Sequence, residues 1–358
     1  MKILIRYGRV IDPASGFDEK ADIAIADDAI VAVKNIPADF AAQQVIDAQG
    51  CIVAPGLVDL AARLREPGYE HEGMLESEMA ASVAGGVTSL VCPPDTDPVL
   101  DEPGLVEMLK YRAEKLKKAR LFPLGAITRG LKGEILTEMA ELTEAGCVGF
   151  GQAEVPLTNT QVLQRALQYA ATFDYTLWLR PQDRDLGKGV AASGPLATRL
   201  GLSGIPTAAE TIAIFTIVEL MRSTGARVHL CRLSSAAGVA LVRAARAEGL
   251  PLSCDVSINS LHLTDTDIGY FDSRALEVVS AAPARLVPAA GTARIAAGEA
   301  ADLCVFDPAD EWQVSPQALR SQGKLTPFAG YALRGRVRST LVGGRVVYQS
   351  SSSSSSSN

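Results

Sequence analysis

Between residues 57 and 256 the chain alternates short apolar, β-branched runs with stretches of helical periodicity, and this βα repeat constrains the fold more than any other feature. Strands are predicted at 57–60, 88–92, 121–124, 147–150, 176–179, 227–230 and 252–256. Helices are predicted between them, among others at 74–84, 136–144 and 206–222, the last with Pro206 in its first turn. Such a repeat implies a parallel sheet with right-handed crossovers. This many units predict a (β/α)8 TIM barrel, with a doubly wound sheet as the alternative. The eighth barrel strand is not evident. After Phe271-Asp272-Ser273 the chain passes into a short helix at 274–280 and then a β-rich end. Either a stretch is missing after Ser273 or the barrel is open.

Both ends of the chain have a different texture. Ile3, Ile5 and Tyr7, then Ile23, Ile25, Ile30 and Val33, suggest short strands, and 301–306 and 337–348 read as strands, the latter a hairpin turning at Gly343-Gly344. A small composite β-domain built from both termini is therefore expected, at 1–55 plus 286–349, around a barrel domain at 56–285. The serine run at 350–358 reads as a disordered tail.

Composition excludes several classes. The chain is 47% hydrophobic and 21% charged with a formal net charge of −7, the profile of a soluble globular protein. No basic stripe suggests nucleic acid. No apolar run approaches the roughly twenty residues of a membrane span, and the first residues read as a strand rather than a signal peptide. A cytoplasmic location is expected. The six cysteines are scattered, with no zinc-knuckle or CxxC spacing, and are expected to be small buried hydrophobes in a reducing compartment.

The segment from Pro55-Gly56-Leu57-Val58-Asp59-Leu60 through Ala61-Ala62-Arg63-Leu64-Arg65-Glu66-Pro67-Gly68 resembles the signature of dihydroorotases in the amidohydrolase superfamily. The resemblance continues through Gly85-Gly86-Val87-Thr88, Cys92-Pro93-Pro94-Asp95-Thr96-Asp97-Pro98, residues 125–139, 199–206 and Ala301-Asp302-Leu303. It implies an amidohydrolase-type barrel with a composite β-domain. It also implies a binuclear zinc enzyme that interconverts dihydroorotate and carbamoyl aspartate, in which the metal ions lower the pKa of a bridging water and polarise the amide carbonyl.

The ligand positions that the resemblance implies do not carry ligands here. The His-x-His of the first strand, two imidazoles on one face, is replaced by Ala61 and Arg63. The acidic bridging position falls on Gln152 or Ala153, neither of them anionic. The histidines of the fifth and sixth strands are replaced by Arg180 and Arg232, and the Pro-His-His of the seventh by Ile258-Asn259-Ser260. The general-base aspartate of the eighth strand has no counterpart. Alanine has no donor atom, and arginine is protonated at all working pH values. No metal site and no cofactor are therefore expected. In the vestigial substrate pocket, Arg65 keeps the position that grips the substrate carboxylate, Asp95 stands in place of an asparagine, and Asn259 completes the set.

Of the three histidines, His71 is expected in a loop, His229 buried and pointing away from Arg232 by strand alternation, and His262 without a role. Arg63, Arg180 and Arg232 are expected to replace the zinc charges and pair with residual acids such as Asp59, Asp95 or Asp183. An anion-sensing pocket is the sharper alternative.

The resemblance extends to inactive dihydroorotase-like chains of some bacteria, which form a complex with the catalytic chain of aspartate transcarbamoylase. It thus implies a non-catalytic assembly subunit in de novo pyrimidine biosynthesis, within a hetero-oligomer. A metabolite-binding regulator and an enzyme with altered, metal-free chemistry are the other two readings.

Overall fold

The structure, a computed structural model, describes residues 1–189, 191–194, 198, 203–258, 293–324, 326 and 328–350. They fall into two compact units. The first comprises Met1–Cys92, Leu109–Phe122 and the described part of Gly269–Asn358. The second comprises Pro93–Met108 and the described part of Pro123–Ile268.

In the first unit the two ends of the chain share sheets. Leu303–Gln313 runs antiparallel to Ile52–Pro55, which is parallel to Arg9–Asp12, and Ala332–Val342 and Arg345–Gln349 extend the same six-stranded sheet. A second sheet of four strands is centred on Ile23–Ala26 and Lys2–Arg6. The period-2 pattern of isoleucines explains the pairing. Ile3, Ile5, Ile23, Ile25 and Ile30 are wholly buried in one cluster with Leu303, Val305 and Leu341. Each such side chain contributes about 1.5–3 kcal/mol by leaving water. The same unit holds the neighbouring strands Leu57–Asp59 and Val87–Cys92 and, as far as Phe122, Arg120–Pro123, in sequence order.

The second unit carries five parallel strands, Gly125–Ala126, Phe150–Gly151, Thr176–Leu179, Arg227–Leu230 and Leu252–Cys254, again in sequence order. Helices Met139–Glu144, Thr160–Thr172, Ala208–Thr224 and Ala236–Ala247 lie between them along the chain. The order has no reversal, so within these residues the doubly wound alternative, which requires a switch point, does not hold. Local chemistry fixes the helix ends. Asn159 caps one with its side chain on the amides of Gln161 and Val162, and Ser235 caps another through Gly238 N at 2.9 Å. Gly225 closes Ala208–Thr224 in the left-handed conformation.

Three expectations need adjusting. The fourth barrel strand is Phe150–Gly151, not 147–150, although Val148 N still bonds Pro123 O and Gly125 N bonds Gly149 O. The helix expected from 206 starts at Ala208, after Pro206 and the N-cap Thr207. Three of the six cysteines, Cys92, Cys147 and Cys304, are buried, whereas Cys254 is exposed. The proposed gap after Ser273, the helix at 274–280, His262 and the serine run 351–358 lie outside the described residues. No described helix is long and apolar enough to cross a membrane.

Candidate functional site

The resemblance assigned ligand positions to the C-terminal ends of barrel strands, where side chains converge in folds of this type. In the second unit those ends carry a cluster of charge. Arg180 directly follows Thr176–Leu179, and Arg232 follows Arg227–Leu230 by two residues. Both guanidinium groups close on one carboxylate: Arg180 Nη1 on Glu154 Oε2 and Arg232 Nη1 on Glu154 Oε1. The three side chains are 30–39% exposed, so the triad is neither buried nor free in solvent.

Glu154 is not among the acids expected to pair with the arginines. Asp59 accepts the Ala61 amide at 2.9 Å, and Asp183 accepts the amides of Asp185 and Leu186 within its own turn. What brings Glu154 in is the backbone at Ala153, which has φ +49°. Non-glycine residues adopt this left-handed conformation rarely, and it breaks the strand alternation after Gly151. The sequence offered one signal, an acid two residues beyond Gln152.

Gln152 itself is 1% exposed. Its Nε2 donates to Thr128 Oγ1 at 2.8 Å, while Oε1 is buried and has no hydrogen-bond partner among the described residues. Asp95 is half-buried in the loop after Val87–Cys92.

Beneath Arg232 lies a second polar group. Asp255 Oδ1 accepts the Arg232 amide and Oδ2 lies 3.0 Å from His229 Nε2, while His229 Nδ1 is 2.9 Å from Ser253 Oγ. His229 is wholly buried and its ring lies 4.5 Å from that of Trp178. His229 is buried as expected, and only the backbone amide of Arg232 reaches the acid beside it. Trp178, His229 and Ser253 are register partners on one face, and Arg232 joins them through Asp255. Arg232 has φ +59°, so the alternation of the strand is not carried on to it.

In the first unit, beyond the end of Leu57–Asp59, Ala61, Arg63 and Arg65 are half-buried and alternate with the buried Ala62, Leu64 and Glu66. Arg65 Nε is 3.1 Å from Glu72, and Glu66 is held by Arg112 and by the Leu75 amide. The arginine expected to grip a substrate carboxylate is therefore occupied by a carboxylate of its own chain. His71 is exposed, beside Glu72. Asn259 lies outside the described residues.

This donor set does not fit the two zinc ions that the resemblance implies. A metal site needs lone pairs directed inward. Arg180 and Arg232 direct N–H donors inward onto an anion, and Gln152 is neutral and spends its amide on Thr128.

Comparison with known proteins places these observations. Residues 50–237 match the family model described as dihydro-orotase-like. The chain is 39% identical to a dihydroorotase-like protein of Pseudomonas aeruginosa, over 98% of this chain and 100% of that one, and 37% identical to a dihydroorotase-like protein of Pseudomonas putida, over 97% and 99%. It is 33% identical to a dihydroorotase of Syntrophotalea carbinolica, over 98% and 99%. The alignment with the first relative spans 423 positions against the 358 residues of this chain, so that relative has residues without a counterpart here. Among solved structures, L-hydantoinase (dihydropyrimidinase) from Arthrobacter aurescens superposes with a TM-score of 0.81 at 19% identity, covering 97% of this chain and 96% of that one. The D-hydantoinase from Thermus sp. gives 0.75 at 18%, covering 97% and 95%. These likenesses give the fold, an amidohydrolase-type (β/α)8 barrel with a β-domain.

Proposed function

Because the chain belongs to the dihydroorotase-like family, we propose that it is a member without the family's catalytic metal centre, serving as a structural and assembly subunit of an aspartate transcarbamoylase complex in de novo pyrimidine biosynthesis. One observation carries the first half. At two positions that the resemblance gives to metal-binding histidines stand guanidinium groups, and both are engaged by Glu154. A zinc ion there faces two like charges at close range, which costs about 4 kcal/mol per unit-charge pair at 4 Å and an effective dielectric of about 20. The dihydroorotase-like names of two relatives are compatible with that reading.

The second half rests on family resemblance, a weaker warrant than site chemistry. A fold of the family type with an altered site is suited to assembly. The transcarbamoylase catalytic chain is the partner that the resemblance names.

The test mixes the purified catalytic chain with this one and measures particle mass and transcarbamoylase activity. A larger particle with raised activity supports the assembly role. Separate elution with unchanged activity refutes it. A parallel assay of dihydroorotate hydrolysis with added zinc addresses the catalytic half: enzyme-like turnover overturns it.

A further inference from the structure

We propose that His229, Cys231 and Asp255 form a binding site for a single zinc-type transition-metal ion, separate from the ligand positions that the resemblance assigns. One donor atom from each of the three lies within 4.8 Å of the other two. The strands bring them together. His229 sits opposite Ser253 in the parallel pairing of Arg227–Leu230 with Leu252–Cys254. Cys231 follows two residues on, with its amide still in the ladder on Leu179 O at 2.9 Å. Asp255 follows the next strand, with its amide on Leu230 O at 3.1 Å.

The donor set suits the ion. Imidazole, thiolate and carboxylate are the ligand types that zinc takes, with bonds of about 2.0–2.3 Å, and a tetrahedral ion then needs donors about 3.3–3.8 Å apart. Small side-chain rotations from the present spacing reach that distance. A thiolate and a carboxylate balance the dication, and the thiol proton leaves to solvent on binding. Ser253 Oγ on Nδ1 is the kind of oxygen partner that orients a metal-bound imidazole and leaves Nε2 for the metal. The neighbouring cation is turned away, since the Arg232 guanidinium is on Glu154 and only its backbone amide reaches Asp255, on Oδ1. Asp255 Oδ2 faces His229. Three protein donors leave a fourth position for water or a small anion.

The full chain, stripped with chelator and dialysed against zinc, should hold one zinc per chain by elemental mass spectrometry. With cobalt(II) it should show the charge-transfer absorption of a thiolate-bound ion. Cys231→Ser, a half-buried near-isosteric change, should abolish the cobalt–thiolate band and lower zinc affinity at least 100-fold. Ser253→Ala should lower it about 10–100-fold through loss of ring orientation, and Cys254→Ser should leave it unchanged. Circular dichroism verifies that each variant is folded. Absence of equimolar zinc in the unsubstituted chain overturns the proposal. So does zinc retained at unchanged affinity in Cys231→Ser, which would place the ion elsewhere.

Discussion

Glu154→Gln is the sharpest test of the charge triad, because it keeps the shape and removes the anion that two arginines share. Unit charges about 4 Å apart attract by about 4 kcal/mol at an effective dielectric of 20. With each side chain roughly a third exposed, the net value is well below that. Exposed pairs measure about 0–1 kcal/mol, and breaking a buried pair costs about 3–5 kcal/mol. The substitution should therefore cost about 1–3 kcal/mol, since Arg180 and Arg232 lose their partner together and are left facing each other. Urea unfolding at low salt reads this as a lowered midpoint at constant slope. Raising the salt to about 1 M shrinks the screening length to about 3 Å, so the deficit should narrow as the arginine–arginine repulsion fades. Glu154→Gln/Arg180→Gln should recover part of it for the same reason. The bared pair should also gain stabilisation from sulfate that the unsubstituted chain lacks. A deficit below about 0.5 kcal/mol, or one that salt leaves unchanged, refutes the triad as described.

Gly56→Ala should destabilise by about 1–3 kcal/mol or more, because a Cβ there lies 2.2 Å from Thr88 Oγ1 and 2.3 Å from Cγ2, and chemical denaturation measures the loss. Cys304 is wholly buried and its thiol is pushed up to about 12, so it should stay unlabelled by a thiol reagent at mildly alkaline pH until the chain is unfolded, as peptide mass mapping would show. Burial raises the Asp302 carboxyl above its ordinary value of 3.8, against the opposing pull of Arg120 and the Gly343 amide. The folded state thus holds that proton more tightly than the unfolded state. Its contribution to stability is full below the unfolded value and declines as pH rises through the folded one. Stability relative to Asp302→Asn, followed by urea unfolding from about pH 4 upward, should fall with pH, and a flat or rising difference counts against the assignment.

The sequence made strand positions legible where apolar and β-branched residues crowd together, as at Thr176–Leu179 and Arg227–Leu230. Isoleucine alternation likewise marked the sheets shared by both chain ends. Reading became unreliable where the backbone leaves the extended region at a residue whose type does not announce it. Ala153 and Arg232 both have positive φ, and strand alternation does not carry through either of them. Just beyond the first lies Glu154, which was not among the acids expected beside the arginines. The residues standing in place of the family's histidines were visible in the sequence, but the acid that holds Arg180 and Arg232 was not.

The triad also bears on whether a different, metal-free chemistry survives at these strand ends. In a metal centre the cation lies in the middle and the protein supplies lone pairs around it. Here the polarity is inverted: the middle is a carboxylate and the surrounding groups supply N–H donors that have no lone pair to give. Hydrolysis of a cyclic amide needs an activated water and a group to accept its proton. The carboxylate best placed for that role has an oxygen on each of two guanidiniums. To act as a base it has to give up a charge-assisted pair, the stronger kind of hydrogen bond. An external anion meets the same obstacle, because it must displace Glu154 before either arginine can hold it. The arrangement therefore disfavours both a metal-free hydrolase and an anion sensor in the unsubstituted chain. It is consistent with a framework whose converging charges satisfy one another.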